Sequence, residues 1–152
     1  MKKITSLFVL LFLFTAVFAQ DIEAEKQAIK NVIQTSYVEG LQNEGNLDKI
    51  DQGIHPGFVL LGIGEGEKMW ELPIDKWKEK TEAKLKAGKL PRKEKPITVK
   101  FLSIDITGTA AVAKIEFYVG EKLTYIDYIS LYKFNGNWKM VNKIFYKLPS
   151  KI

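Results

Sequence analysis

From Asp21 onward, Ile22, Ile29, Val32, Ile33 and Tyr37 recur near helical spacing, with Asp21 placed as an N-cap and Glu23 and Glu25 in the first turn. This pattern predicts a helix ending between Gln42 and Gly45. A short second helix is expected from Asn46 through Leu47 and Ile50 to about Gly53, where His55-Pro56 breaks it. Phe58 to Ile63 reads as a buried strand, Gly64-Glu65-Gly66 as a turn, and Lys68 to Leu72 as a short return strand carrying Trp70. Pro73 suits the first turn of a third helix, with Ile74, Trp77, Thr81 and Leu85 on one face and Gly88 as its stop.

The pattern then changes to strands: Ile97 to Ile106, Thr109 to Val119, Leu123 to Phe134 and Trp138 to Lys147. Their connections, Thr107-Gly108, Gly120-Glu121-Lys122 and Asn135-Gly136, are short enough to allow only antiparallel neighbours. Asn135-Gly136 supplies the two positive φ angles of a type I′ turn, so the last two segments form a long hairpin. Ala111, Ala113, Ile115, Phe117 and Val119 share one face, opposed by Lys114 and Glu116. In the next segment Ile126, Tyr128 and Phe134 occupy one face and Ile129 and Leu131 the other, so both faces should be covered, one of them by a second subunit. The element order predicts an α+β fold in which about three N-terminal helices pack in a strongly curved, mostly antiparallel sheet.

Composition adds an address. Lys2 and Lys3, the apolar run Leu7 to Phe14 and the small-residue site Val17-Phe18-Ala19 read as a signal peptide over residues 1–19, leaving residues 20–152 as one domain. The apolar run is shorter than the roughly 20 residues a bilayer needs, so a periplasmic or secreted product without stable membrane insertion is expected. There is no Cys, hence neither a disulfide nor a thiol for lipid attachment. The formal charge of +5 falls to +3 without the signal's two Lys, too small an excess to imply nucleic acid. The excess is concentrated between Lys76 and Lys95, where nine Lys or Arg face Glu79, Glu82 and Glu94. That run reads as a solvated helix face and loop, or as an electrostatic lip for an anionic ligand or membrane surface.

The chemistry is sparser. Asp127 lies in an otherwise apolar or aromatic run, where a carboxylate is costly to bury without a partner. It is either a working group or a structural one that pairs with Lys143 or another basic residue across the hairpin, or that bonds a backbone amide. The sole histidine, His55, stands at an element junction as a loop-fixing residue, a general base or a ligand contact. One His and no Cys cannot assemble the usual zinc site, so no metal or cofactor is expected. No G-x-S-x-G elbow occurs. Gly62-x-Gly64-x-Gly66 is followed by a strand where a dinucleotide site needs a helix, and is rejected as one. Trp70, Trp77 and Tyr118 are the candidates for stacking on a flat apolar ligand.

Three stretches carry a family resemblance: Tyr37-x-x-Gly40; His55-Pro56-x-Phe58; and Asp127-Tyr128-x-Ser130-Leu131 with Asn135-Gly136-x-Trp138-Lys139-x-Val141-Asn142-Lys143. In these the chain resembles the nuclear transport factor 2-like superfamily, specifically its exported bacterial branch labelled "putative lumazine-binding", over nearly the whole mature length. The resemblance implies a cone whose open end leads to an apolar pocket, and homodimers through the outer sheet face. The superfamily also holds ketosteroid-isomerase-like and polyketide-cyclase-like enzymes, which suggests Tyr37 and Asp127, with His55, as acid/base and hydrogen-bonding groups. A second acid is not identifiable, since Asp48 and Asp51 lie in a short polar helix. The leading expectation is a non-catalytic exported module binding a small apolar or aromatic ligand at Tyr37, His55, Trp70, Trp77, Tyr118 and Asp127. An enzyme using Asp127, or a structural domain with a filled pocket, are the alternatives.

Overall fold

The computed structural model describes residues 21–149; the predicted signal peptide lies outside them. Helix α1 spans residues 21–44, and its second half, Ile33–Glu44, is wound as a π-helix. The sequence pattern predicted only an ordinary helix here. Ile33, Tyr37 and Leu41 share the inner face of this half. All three are buried against the sheet together with Ile29 and Val38. Gly45 ends the helix at φ 74°, and Asn46 caps helix α2 (Leu47–Gly53) by accepting from the Lys49 amide at 3.1 Å. A β-carbon on Gly53 would collide with Ser36 Oγ and Val32 Cγ1, so a glycine allows α2 to lie directly on α1.

Six strands form one sheet: β1 (Ile54–Ile63), β2 (Met69–Pro73), β3 (Ile97–Thr107), β4 (Ala110–Val119), β5 (Lys122–Phe134) and β6 (Asn137–Lys147). Their order is β2-β1-β6-β5-β4-β3, antiparallel everywhere except between β1 and β6. The β5–β6 turn has φ 48° at Asn135 and 81° at Gly136, the two positive values expected. Register shifts interrupt the ladders between Phe101 and Ser103, Phe117 and Tyr118, and Ser130 and Leu131. Each extra residue bends its strand, and together they curve the sheet around α1. The fold is α+β, with the predicted elements in the predicted order.

Helix α3 (Ile74–Lys86) buries Ile74 and Thr81 and leaves its lysines in solvent. Beyond it, the 87–96 loop returns to α1: the Arg92 amide donates to the Asn43 carbonyl at 2.8 Å, and Arg92 Nε to the Gln42 carbonyl at 2.8 Å. Asn43 also exchanges two hydrogen bonds with the backbone of Ile97 at the start of β3. At the other end of α1, Glu25 accepts from Trp138 Nε1 at 2.6 Å and pairs with Lys133 at 2.5 Å, fastening the helix to the β5–β6 hairpin.

The bonds from Lys133 and Trp138 hold the Glu25 carboxyl below its ordinary value of 4.5. Below that value the unfolded chain binds more protons than the folded one, so this contribution to stability is present at neutral pH and is lost as the pH falls. Glu25→Gln should therefore unfold about 1 kcal/mol more easily than wild type at pH 7. Urea titrations across the acid range should show that gap closing below pH 4.5.

Candidate functional site

Alternation along β4, β5 and β6 sets the inner face in rows. Ala111, Leu131 and Met140 form one row, Ala113, Ile129 and Lys143 the next, then Ile115, Asp127 and Phe145. The next row begins with Phe117 and Tyr125. The first rows are fully buried beneath α1, whereas Tyr125 and Phe145 are only half-buried. Small residues thus give way to large aromatic ones along the sheet, and the close-packed core opens into a cavity.

That cavity measures about 280 Å³. Its walls are the rings of Tyr37, Trp77, Phe117, Tyr125 and Phe145 with the aliphatic side chains of Leu60, Ile97 and Val119. Tyr37 meets Trp77 edge-on at 6.2 Å, and Tyr125 meets Phe145 edge-on at 5.5 Å. Only Gln42, Arg92 and Lys143 add further polar groups to the lining.

Asp127 lies at the boundary between core and cavity. Its Oδ2 accepts from the Tyr37 hydroxyl at 2.9 Å and pairs with Lys143 Nζ at 2.9 Å. The pair is diagonal across the hairpin, since Ile129 rather than Asp127 stands opposite Lys143. Both side chains are withdrawn from solvent, at 0% and 7% exposure. Desolvation pulls the Lys143 ammonium below its ordinary value, opposed by Asp127. Its charge also lies 5.2 Å from the centre of the Tyr37 ring and 5.1 Å from that of Phe145. Burial, then the adjacent Asp127 charge, raise the Tyr37 hydroxyl well above 10.0, so it remains a proton donor. Asp127 Oδ1 has no hydrogen-bond partner among the described residues.

The family assignment follows from the chain as a whole. A family model described as "putative lumazine-binding" matches residues 24–146. The chain belongs to this family. No curated protein matches it significantly. Among solved structures, a nuclear transport factor 2-like protein of unknown function from Shewanella baltica OS155 is 24% identical with TM-score 0.64, over 84% of this chain and 96% of that one. One from Silicibacter pomeroyi DSS-3 is 16% identical with TM-score 0.67, over 84% and 98%. A third, from Methylobacillus flagellatus KT, is 22% identical with TM-score 0.61, over 83% and 94%. These likenesses show that this lumazine-binding-family chain has the nuclear transport factor 2-like fold.

Within that fold, Tyr37 and Trp77 line the cavity, Asp127 lies behind its wall bonded to Tyr37, and His55, Trp70 and Tyr118 are not among the lining residues. His55 stacks on Phe134 at 4.7 Å, and its Nδ1 accepts from the Gly57 amide at 3.0 Å, so it fixes the irregular start of β1 beside the end of β5. Trp70 stands opposite Gly62 on edge strand β2 and lays its ring over that glycine. Tyr118 alternates outward because Phe117 and Val119 point in, and its hydroxyl donates to Glu116 at 2.7 Å. Period-two reading of β4 carried the signal against Tyr118. The same reading extended along β5 would have added Tyr125, whereas Phe145 points inward only because the register shift after Met140 reverses the alternation of β6. No local pattern marked Arg92 or Gln42, whose roles depend on where a loop and a helix end meet.

Removing one partner of a buried ion pair leaves the other uncompensated, at a cost of about 3–5 kcal/mol. Lys143→Met should destabilise by that amount in urea unfolding. Adding Asp127→Leu should restore part of the loss, whereas additive losses would show that the two groups act independently.

Proposed function

We propose that this protein is an exported, non-catalytic module that binds a small, largely apolar or aromatic molecule between its helices and sheet, and that it works as a homodimer. The observation that carries the binding reading is the cavity itself: five aromatic rings and few polar groups enclose space suited to a small planar molecule. An open cavity of about 280 Å³ also argues against a structural domain filled by its own side chains.

The non-catalytic reading is supported by the placement of Asp127. A general base must come within hydrogen-bond reach of its substrate. Asp127 is fully buried, does not line the cavity, and has Oδ2 engaged by both Tyr37 and Lys143. Among the described residues no carboxylate lines the cavity, and Asp51 is instead paired with Lys78 at the surface. Tyr37 favours one other reading, an isomerase- or cyclase-like enzyme, because it both lines the cavity and donates to Asp127.

The homodimer is supported by the outer sheet face. Val112, Tyr128, Tyr132, Ile144 and Tyr146 leave 38–60% of their surface exposed across three adjacent strands, an apolar patch of the kind subunit contacts cover. Export rests on the charge, apolar run and cleavage site of residues 1–19. Among the described residues no helix is long and apolar enough to cross a membrane.

Native mass spectrometry of the protein isolated from the exported fraction should show a dimer carrying a small adduct. A clean monomer without adduct would contradict both claims. Hydrogen–deuterium exchange into 2-tetralone, a bicyclic enolisable ketone, should not be accelerated. Acceleration that disappears in Asp127→Asn would establish the enzyme reading in its place.

A further inference from the structure

The charges around the cavity do not cancel. Asp127 and Lys143 neutralise each other at its inner end, so the pair contributes a donor surface without net charge. Arg92 is different. Its backbone and Nε are held by the carbonyls of Asn43 and Gln42, which fixes the guanidinium in the cavity wall. Among the described residues no carboxylate pairs with it. Positive charge accumulates nearby: burial, then repulsion from Arg92, Lys80 and Lys89, hold Lys84 below the usual lysine value.

The cavity also continues outward. Val119 and Tyr125 line both it and a larger, shallower cleft of about 790 Å³. Lys95, Lys122 and Lys147 border that cleft against the single acid Glu121. A ligand held beside Arg92 that extends past Val119 and Tyr125 therefore meets a lysine-rich rim.

We propose that the site selects an anionic amphiphile, with its apolar or aromatic body between the rings, its carboxylate or related acid group on the Arg92 guanidinium, and any further length in the lysine-bordered cleft. This rests on the pocket reading above and names the ligand class it takes. A planar guanidinium with free N–H groups beside a partly desolvated aromatic wall is suited to such an acid, because a charge-assisted contact there is weakly screened. Neutral molecules of the same shape gain the aromatic contacts alone.

Two dyes with the same rings separate these contributions. The anionic 8-anilinonaphthalene-1-sulfonate should bind about tenfold or more tightly than neutral N-phenyl-1-naphthylamine in fluorescence titrations. Arg92→Gln should abolish that preference while leaving the neutral dye unchanged, Arg92→Lys should keep part of it, and salt should weaken only the anionic dye. Octanoate should displace the anionic dye and octanol should not. Lys68→Gln, which removes one charge from a distant exposed turn, should change neither affinity. Equal affinities, or a preference that survives Arg92→Gln, would overturn the proposal. If neither dye binds, or if Trp77→Ala with a folded circular-dichroism spectrum affects neither, the pocket reading fails and this inference fails with it.

Discussion

The interaction on which the rest depends is the buried contact of Asp127 with Lys143 and Tyr37. It joins the centre of the sheet to the middle of α1 through three polar side chains, all desolvated, in a region otherwise made of Ile, Leu and Phe. Such a pair is weak evidence for stability, because replacing both charges by apolar groups is often neutral or favourable. Its geometric consequence is stronger. A hydroxyl and an ammonium that both converge on one carboxylate oxygen tolerate little sliding, so α1 is registered against β5 and β6 at this level. Hydrophobic contacts alone would define that register less sharply.

From that level the two ends of the molecule diverge. Toward the β5–β6 turn, Ala111, Ala113, Ile129 and Leu131 allow α1 to approach the sheet closely, and Glu25 closes the end through Trp138 and Lys133. Toward the other end, Phe117, Tyr125 and Phe145 hold helix and sheet apart, while the 87–96 loop braces the end of α1 through Arg92. The cavity is therefore a product of side-chain size along three strands. Curvature from the interrupted ladders keeps its walls around it.

Much of this was legible in the chain and some was not, for identifiable reasons. Strands β3 to β6, Asn135-Gly136 and the Asn46 cap of α2 were written in local patterns, because turn chemistry and period-two alternation act over a few residues. The Asp127–Lys143 pair was visible as a carboxylate without a local partner and a lysine on the neighbouring strand. The parallel β1–β6 contact that joins the β1–β2 hairpin to the four-stranded β3–β6 meander is long-range, and no local signal encodes it. His55 and Trp70 were singled out without their surroundings for the same reason: an unusual residue type draws notice, while its neighbours are set by topology. The π-winding of α1 escaped because Ile33, Tyr37 and Leu41 fit either helix to within a fraction of a turn.

The pair and the cavity also explain each other's charge. An unpaired lysine facing the aromatic walls would be poorly solvated there, and an unpaired aspartate would repel any acid reaching the inner end. Joined, they leave a nearly neutral inner surface with polar edges, whereas Arg92 in the lining has no carboxylate partner among the described residues and lysines border the adjoining cleft. Two features of the same sequence, a carboxylate in a sheet and a basic run after α3, thus belong to one arrangement. Charge is cancelled where the core begins and retained where a ligand would enter.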